Sequence, residues 1–258
     1  MTNSAWTASS AAKHVIGLTG AAQIAWFLDV DGTLLEIAET PDAVQCDREL
    51  STLLLGLQRS SGNALALISG RSTAAVDALF APLRLPVAGQ HGAERRSVSG
   101  ELHHRPVNGG SLAAIRTRVV AWMAERPGLL LEDKGSSLAV HFRQAPVWEE
   151  ELRAFLLVQL AGGDGGLSLQ SGKMVLEIKP TDADKGIAIR EYLNEVPFQG
   201  RVPVFLGDDE TDEAGFAMVN LLGGLSIKVG EGATVACCRL PDVAAVRAWL
   251  AAAARGAA

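Results

Sequence analysis

Residues 26–35 read Trp-Phe-Leu-Asp-Val-Asp-Gly-Thr-Leu-Leu. The apolar run from Ile24 to Leu28 has the composition of a buried strand and stops abruptly at two carboxylates, Asp29 and Asp31. Gly32 and Thr33 follow at once, which is turn chemistry. In an open α/β sheet, ligands bind just beyond the carboxyl ends of the strands, so two acids are expected where a substrate would lie. Carboxylates this close repel unless a cation or a shared proton intervenes. One can attack phosphorus while the other moves a proton.

Outward from this strand, expected over 24–29, the sequence alternates between strand-like and helix-like runs. Residues 1–22 are small and polar and read as a loose start or a short helix. A helix is predicted from near Asp47, an N-cap candidate, with Leu50, Leu53, Leu54 and Leu57 on one face. Strands are predicted over 64–68 and 85–88 with a helix over 73–80 between them. Strand–helix–strand–helix implies a parallel sheet with right-handed crossovers. The rhythm then changes. Helices over 111–125 and 146–160 each precede two strands, over 129–131 and 138–142 and over 167–170 and 174–178, with a Gly-rich turn at 162–166. Helix–strand–strand twice over suits a small antiparallel sheet with helices on one face. Parallel rhythm resumes with helices over 185–195, 210–220 and 243–254 and strands over 202–206 and 225–229. The expected fold is therefore α/β: a Rossmann-like parallel-sheet core made of residues 1–105 and 181–258, interrupted by an inserted α+β cap domain, 106–180, suited to act as a lid.

Bulk properties narrow the function. At 258 residues and 48% hydrophobic residues, the chain can bury a sizeable core. A net charge of −6 and a sequence pI near 5.4 argue against nucleic acid or an anionic membrane as a partner. Three cysteines, Cys46, Cys237 and Cys238, lack the spacing of a disulfide framework or a zinc site, which fits a reducing compartment. No signal peptide and no apolar run of membrane-spanning length is evident. A cytoplasmic protein is expected.

Three later segments carry further chemistry. In Leu67-Ile68-Ser69-Gly70-Arg71-Ser72, a hydroxyl at a strand end followed by glycine can bind a phosphoryl oxygen with its side chain and a nearby backbone N–H. Strand–Ser–Gly is also an ordinary turn. Lys185 opens a predicted helix where the parallel rhythm resumes. A cation there opposes the helix dipole, so its placement asks for a functional reason. In Gly207-Asp208-Asp209-Glu210-Thr211-Asp212 an apolar strand again ends in acids. Those at 208 and 209 come before the helix and, with Asp29, make an oxygen-rich site suited to Mg²⁺.

These four elements, in this order, resemble the motifs of the haloacid dehalogenase superfamily. The segments Leu67 to Arg71, Gln90-His91-Gly92-Ala93-Glu94-Arg95-Arg96, His141-Phe142-Arg143, Glu177-Ile178-Lys179-Pro180 and Gly207 to Asp212 bring the chain closer to its trehalose-6-phosphate phosphatase family, from about residue 24 onward. The resemblance implies Asp29 as the nucleophile that becomes an aspartyl-phosphate. It implies Asp31 as the acid that protonates the leaving oxygen and then activates water. Ser69, Gly70 and Lys185 would hold the phosphate. Asp208 would bind Mg²⁺ with Asp29 and the Asp31 backbone carbonyl, supported by Asp212. Glu132, Lys134 and Glu177 of the cap would grip the sugar, helped by Arg71 and His91.

The implied activity is hydrolysis of trehalose 6-phosphate to trehalose and phosphate, the last step of trehalose biosynthesis, by a monomer whose partner is the small-molecule substrate. Two alternatives remain at this stage: a phosphatase for another sugar phosphate, and a catalytically inactive sugar-phosphate sensor. The presence of Asp29, Asp31, Lys185 and Asp208 together argues against the sensor.

Overall fold

The computed structural model describes residues 23–37, 46–105, 109–162, 166–172 and 174–255. The expected N-terminal segment 1–22, most of the Gly-rich turn (163–165) and residues 106–108 at the expected start of the cap lie outside the described residues. Two compact units emerge: residues up to His103 together with Lys185 onward, and His104 to Asp184.

The first unit is built on a strand order of β12-β11-β10-β1-β2-β3-β4-β5. These are β1 (Ile24–Leu28), β2 (Leu65–Ile68), β3 (Val87–Gly89), β4 (Glu94–Arg96), β5 (Leu102–His104), β10 (Val202–Gly207), β11 (Leu225–Val229) and β12 (Cys238–Leu240). From β12 through β3 every neighbouring pair is parallel, and β4 joins β3 antiparallel. Because strand side chains alternate between faces, an apolar strand can feed two cores. Ile24, Trp26 and Leu28 enter one core with Leu65, Leu67, Val204 and Leu206. There they meet α1 (Arg48–Ser60), α2 (Thr73–Phe80) and α7 (Val243–Arg255) through Leu50, Leu54, Val76, Phe80, Val246 and Leu250. Ala25 and Phe27 enter the other, with Ala66, Ile68 and Phe205. That face is covered by Ile189 and Tyr192 of α5 (Lys185–Tyr192) and by Phe216 and Val219 of α6 (Glu213–Leu221). Asp47 caps α1 as expected, accepting from Leu50 N at 2.7 Å.

β4, β5 and β12 were not anticipated. β4 is Glu-Arg-Arg and carries no hydrophobic signature, yet it is buried. Pairing makes this possible: Glu94 accepts from Thr73 N at 2.5 Å, Arg95 meets Glu195 at 2.6 Å, and Arg96 engages both oxygens of Asp77 at 2.5 Å.

The second unit holds α3 (Gly109–Met123), α4 (Glu149–Ala161) and an antiparallel sheet of order β6-β7-β9-β8. Its strands are β6 (Leu130–Asp133), β7 (Leu138–His141), β8 (Leu167–Gly172) and β9 (Val175–Pro180). Leu138, Val140, Leu176 and Ile178 share one sheet face and pack with Leu112, Ile115 and Val119 of α3 and Leu152 and Leu156 of α4. This core is separate from the two in the first unit. Among the described residues, no helix is long and apolar enough to cross a membrane.

Phe27 stacks on Phe198 with ring centroids 5.5 Å apart and lies 6.1 Å from Tyr192. Phe27→Ala should lower the unfolding free energy by about 3–5 kcal/mol. Leu221→Ala, at a position 80% exposed, should change it by less than about 0.5 kcal/mol. Urea denaturation measures both, and equal midpoints for the two variants would contradict this assignment of the core.

Candidate active site

Parallel register brings the chemistry together. Leu28 of β1 pairs with Leu206 of β10 and with Leu67 of β2. Asp29, Asp208 and Ser69 therefore emerge beyond the same ends of three adjacent strands. Asp29 continues the ladder by donating its N–H to Leu206 O at 3.0 Å and is itself buried.

Lys185, the first residue of α5, supplies the cation. Its Nζ donates to Asp29 Oδ1 at 2.8 Å and to Asp212 Oδ1 at 2.6 Å. Asp212 Oδ2 accepts from the backbone N–H groups of Asp208 and Asp209, both at 2.9 Å. Asp212 thus ties the lysine to the 207–212 turn. Burial pushes the Asp29 carboxyl well above the usual range, Lys185 pulls it back, and Asp212 and Asp208 add to the rise. Burial alone would depress the Lys185 ammonium, but Asp212 and Asp29 outweigh it and hold its pKa above the ordinary lysine value.

Carboxylate oxygens of Asp29, Asp208 and Asp212 all lie within 4.8 Å of one another. Gly32 makes room for this. Its φ is +80°, and a Cβ there would lie 2.2 Å from Asp208 Oδ2. The three converging acids form an all-oxygen donor set and outnumber the ammonium groups of Lys185 and Lys228 beside them, which fits a hard divalent cation such as Mg²⁺. Lys228, missed by the sequence reading, is buried and donates from Nζ to the Asp208 backbone carbonyl. A lysine inside the otherwise strand-like run Leu225–Val229 was the available signal.

Asp31 stands apart from this cluster. Both of its oxygens accept from Arg71, Oδ2 from Nε and Oδ1 from Nη2, each at 2.7 Å. Arg71, expected at the sugar, is thus a partner of the second acid. Ser69 Oγ accepts from Arg71 N at 3.1 Å, and the Ser69 side chain is buried. His91 lies against this turn, with its N–H donating to Ser69 O at 2.9 Å.

In the second unit, Glu132, Ala139 and Glu177 are register partners across β6, β7 and β9. They alternate with the apolar residues and form a row on the opposite face. Glu177 accepts from Ser137 Oγ at 2.5 Å and from Lys134 Nζ at 3.2 Å. Glu132 meets His141 Nε2 at 2.9 Å, and that bond is the main cause holding its carboxyl below the usual range. Glu132, Lys134 and Glu177 are therefore brought together, and Ser137 and His141 are additions that sequence reasoning did not single out as site residues.

A family model described as trehalose-phosphatase matches residues 27–237. Over 229 residues the chain is 47% identical to the trehalose-6-phosphate phosphatase of Escherichia coli K12, covering 89% of this chain and 86% of that one. Over 230 residues it is 43% identical to a probable trehalose-phosphate phosphatase of Sinorhizobium fredii, covering 88% and 86%. Among solved structures, a trehalose-6-phosphate phosphatase related protein aligns at 28% identity and a TM-score of 0.72 over 88% of this chain and 95% of that one. A haloacid dehalogenase-like hydrolase from B. subtilis, at 14% identity and a TM-score of 0.65 over 88% and 98%, shares the fold. With the match running from the Asp29 strand through the Asp208–Asp212 turn, the chain belongs to the trehalose-phosphatase family, within the haloacid dehalogenase-like fold.

Proposed function

We propose that the protein is a Mg²⁺-dependent phosphatase that hydrolyses trehalose 6-phosphate in the cytoplasm, through an aspartyl-phosphate on Asp29, as the last step of trehalose biosynthesis. The observation that carries this reading is the buried Lys185–Asp29–Asp212 cluster with Asp208 beside it, in a chain 47% identical to a trehalose-6-phosphate phosphatase. Asp29, Asp208 and the Asp31 backbone carbonyl would hold Mg²⁺, with Asp212 in support. When bound, the ion neutralises phosphoryl oxygens and keeps Asp29 ionised. Asp29 attacks phosphorus as the bond to the sugar oxygen breaks, and Asp31 gives that oxygen a proton. Asp31 then takes a proton from water, whose oxygen attacks phosphorus and returns the bonding pair to Asp29. Lys185, Ser69 and the Gly70 backbone hold the equatorial oxygens, consistent with phosphoryl transfer as mainly positioning and charge neutralisation. Glu132, Lys134 and Glu177 supply the sugar contacts, helped by His91. Charge-assisted hydrogen bonds suit a substrate rich in hydroxyls.

Asp29→Asn should abolish phosphate release while leaving the thermal melt near that of the parent, because the amide is nearly isosteric but cannot attack phosphorus. The variant should also show weaker Mg²⁺ binding by calorimetry. Activity within tenfold of the parent would remove Asp29 as nucleophile.

Asp31→Asn should slow sugar-phosphate turnover by roughly 10²–10⁴-fold. Nitrophenolate departs without a proton, so single-turnover phosphoenzyme formation from nitrophenyl phosphate should suffer much less. Equal impairment on both esters would refute the proton-donor role.

Glu177→Gln and Lys134→Met should lower kcat/KM for trehalose 6-phosphate more than for a small phosphate ester. The expected difference between the two losses is about ten- to a hundredfold, the worth of a hydrogen bond to a charged group. Equal losses on both substrates would assign these residues to the chemistry or the fold.

A further inference from the structure

The bidentate pair between Arg71 and Asp31 places a part-buried guanidinium on the second acid of the site. Its geometry is strongly determined. The residues lie 40 positions apart, and the main chain of Arg71 is gripped on both sides. Its N–H donates to Ser69 Oγ at 3.1 Å, and its carbonyl accepts from Gln90 N at 2.9 Å. Gln90 and His91 both adopt left-handed backbone, with φ of 48° and 56°. Such conformations cost energy in residues other than glycine and persist where the surroundings impose them. Gly70 completes the brace, since a Cβ there would come within 2.8 Å of His91 Cε1. Strained loop, tight turn and guanidinium thus form one stack whose outermost group fixes both oxygens of Asp31.

We infer that Arg71 is a positioning residue for the hydrolytic half of the reaction, holding the Asp31 carboxylate aimed to take a proton from water. This rests on the two-step reading above. In that half, Asp31 Oδ removes a proton from water, the water oxygen bonds to phosphorus, the phosphorus–Asp29 oxygen bond breaks, and its electron pair returns to Asp29. A guanidinium that donates to both oxygens fixes the orientation of the Asp31 carboxylate. The role is independent of the sugar, so it applies to any phosphate ester.

Stopped-flow hydrolysis of 4-nitrophenyl phosphate with Mg²⁺ separates the halves, because nitrophenolate release reports phosphoenzyme formation and the steady state reports its hydrolysis. Arg71→Met should form phosphoenzyme at close to the parent rate and hydrolyse it about ten- to a hundredfold more slowly. The result is a burst of up to one nitrophenolate per active site. Arg71→Lys, which keeps the charge but cannot engage both oxygens in the same plane, should show a smaller effect of the same kind. Free guanidinium added to Arg71→Ala should restore part of the slow phase, which a folding defect would not allow. Equal loss in both phases, or a rise in KM alone, would overturn the inference and leave Arg71 as a structural or substrate-binding residue. Failure of the parent protein to release phosphate from any ester would instead remove the phosphatase reading itself.

Discussion

The buried ammonium of Lys185, held between Asp29 and Asp212, is the interaction on which the first unit depends. An ion taken out of water costs several kcal/mol even after relaxation, and removing one partner of a buried pair costs about 3–5 kcal/mol. One cation between two anions is tolerable only if all three are delivered accurately. Lys185 and Asp29 are 156 residues apart. β1 and β10 must therefore be adjacent and in register, α5 must begin at Lys185, and the 207–212 turn must fold so that Asp212 Oδ2 is satisfied by two backbone donors. Small errors in any of these would strand a charge.

The layers serve that requirement. Alternation along β1 gives Trp26 and Leu28 to one core and Phe27 to the other, so the strand that ends at Asp29 is clamped on both faces. α5 is anchored by Ile189 and Tyr192 in the second of these cores, which fixes the start of the helix and hence the lysine. Tyr192 also donates its hydroxyl to Arg96 O at 2.7 Å and lies under the Arg95 guanidinium. The helix that begins at Lys185 and the charged strand β4 are thereby linked. The inserted unit has its own apolar cluster. Its polar row can accordingly change without disturbing the cores that hold the Lys185–Asp29–Asp212 cluster.

Much of this was legible in the sequence because the informative signals are local. The α/β class and the extents of Thr73–Phe80 and Leu225–Val229 follow from hydrophobic patterning and from Gly and Asp punctuation. β4 was not legible, since three consecutive charged residues are buried only through partners contributed by α2 and by the 191–195 region. The helix expected over 146–160 resolves into a 3₁₀ turn at Pro146–Trp148 followed by α4. The acids of the site were conspicuous at strand ends. Their division into a cluster at Asp29, Asp208 and Asp212 and a separate Asp31–Arg71 pair was not, because it depends on side-chain directions set by contacts 40 or more residues apart. Lys228 was hidden for a related reason: a lone lysine in an apolar strand becomes meaningful only once the Asp208 carbonyl is beside it.

The most direct measurement is the covalent state of the protein during turnover. The protein is mixed with Mg²⁺ and trehalose 6-phosphate labelled in the phosphoryl group, quenched in acid within milliseconds, and digested at low pH. Label on the peptide containing Asp29, released by hydroxylamine as an acyl phosphate would be, is the expected result. Phosphate release without labelled protein, or label on a peptide lacking Asp29, would contradict a reaction organised around the Lys185–Asp29 pair.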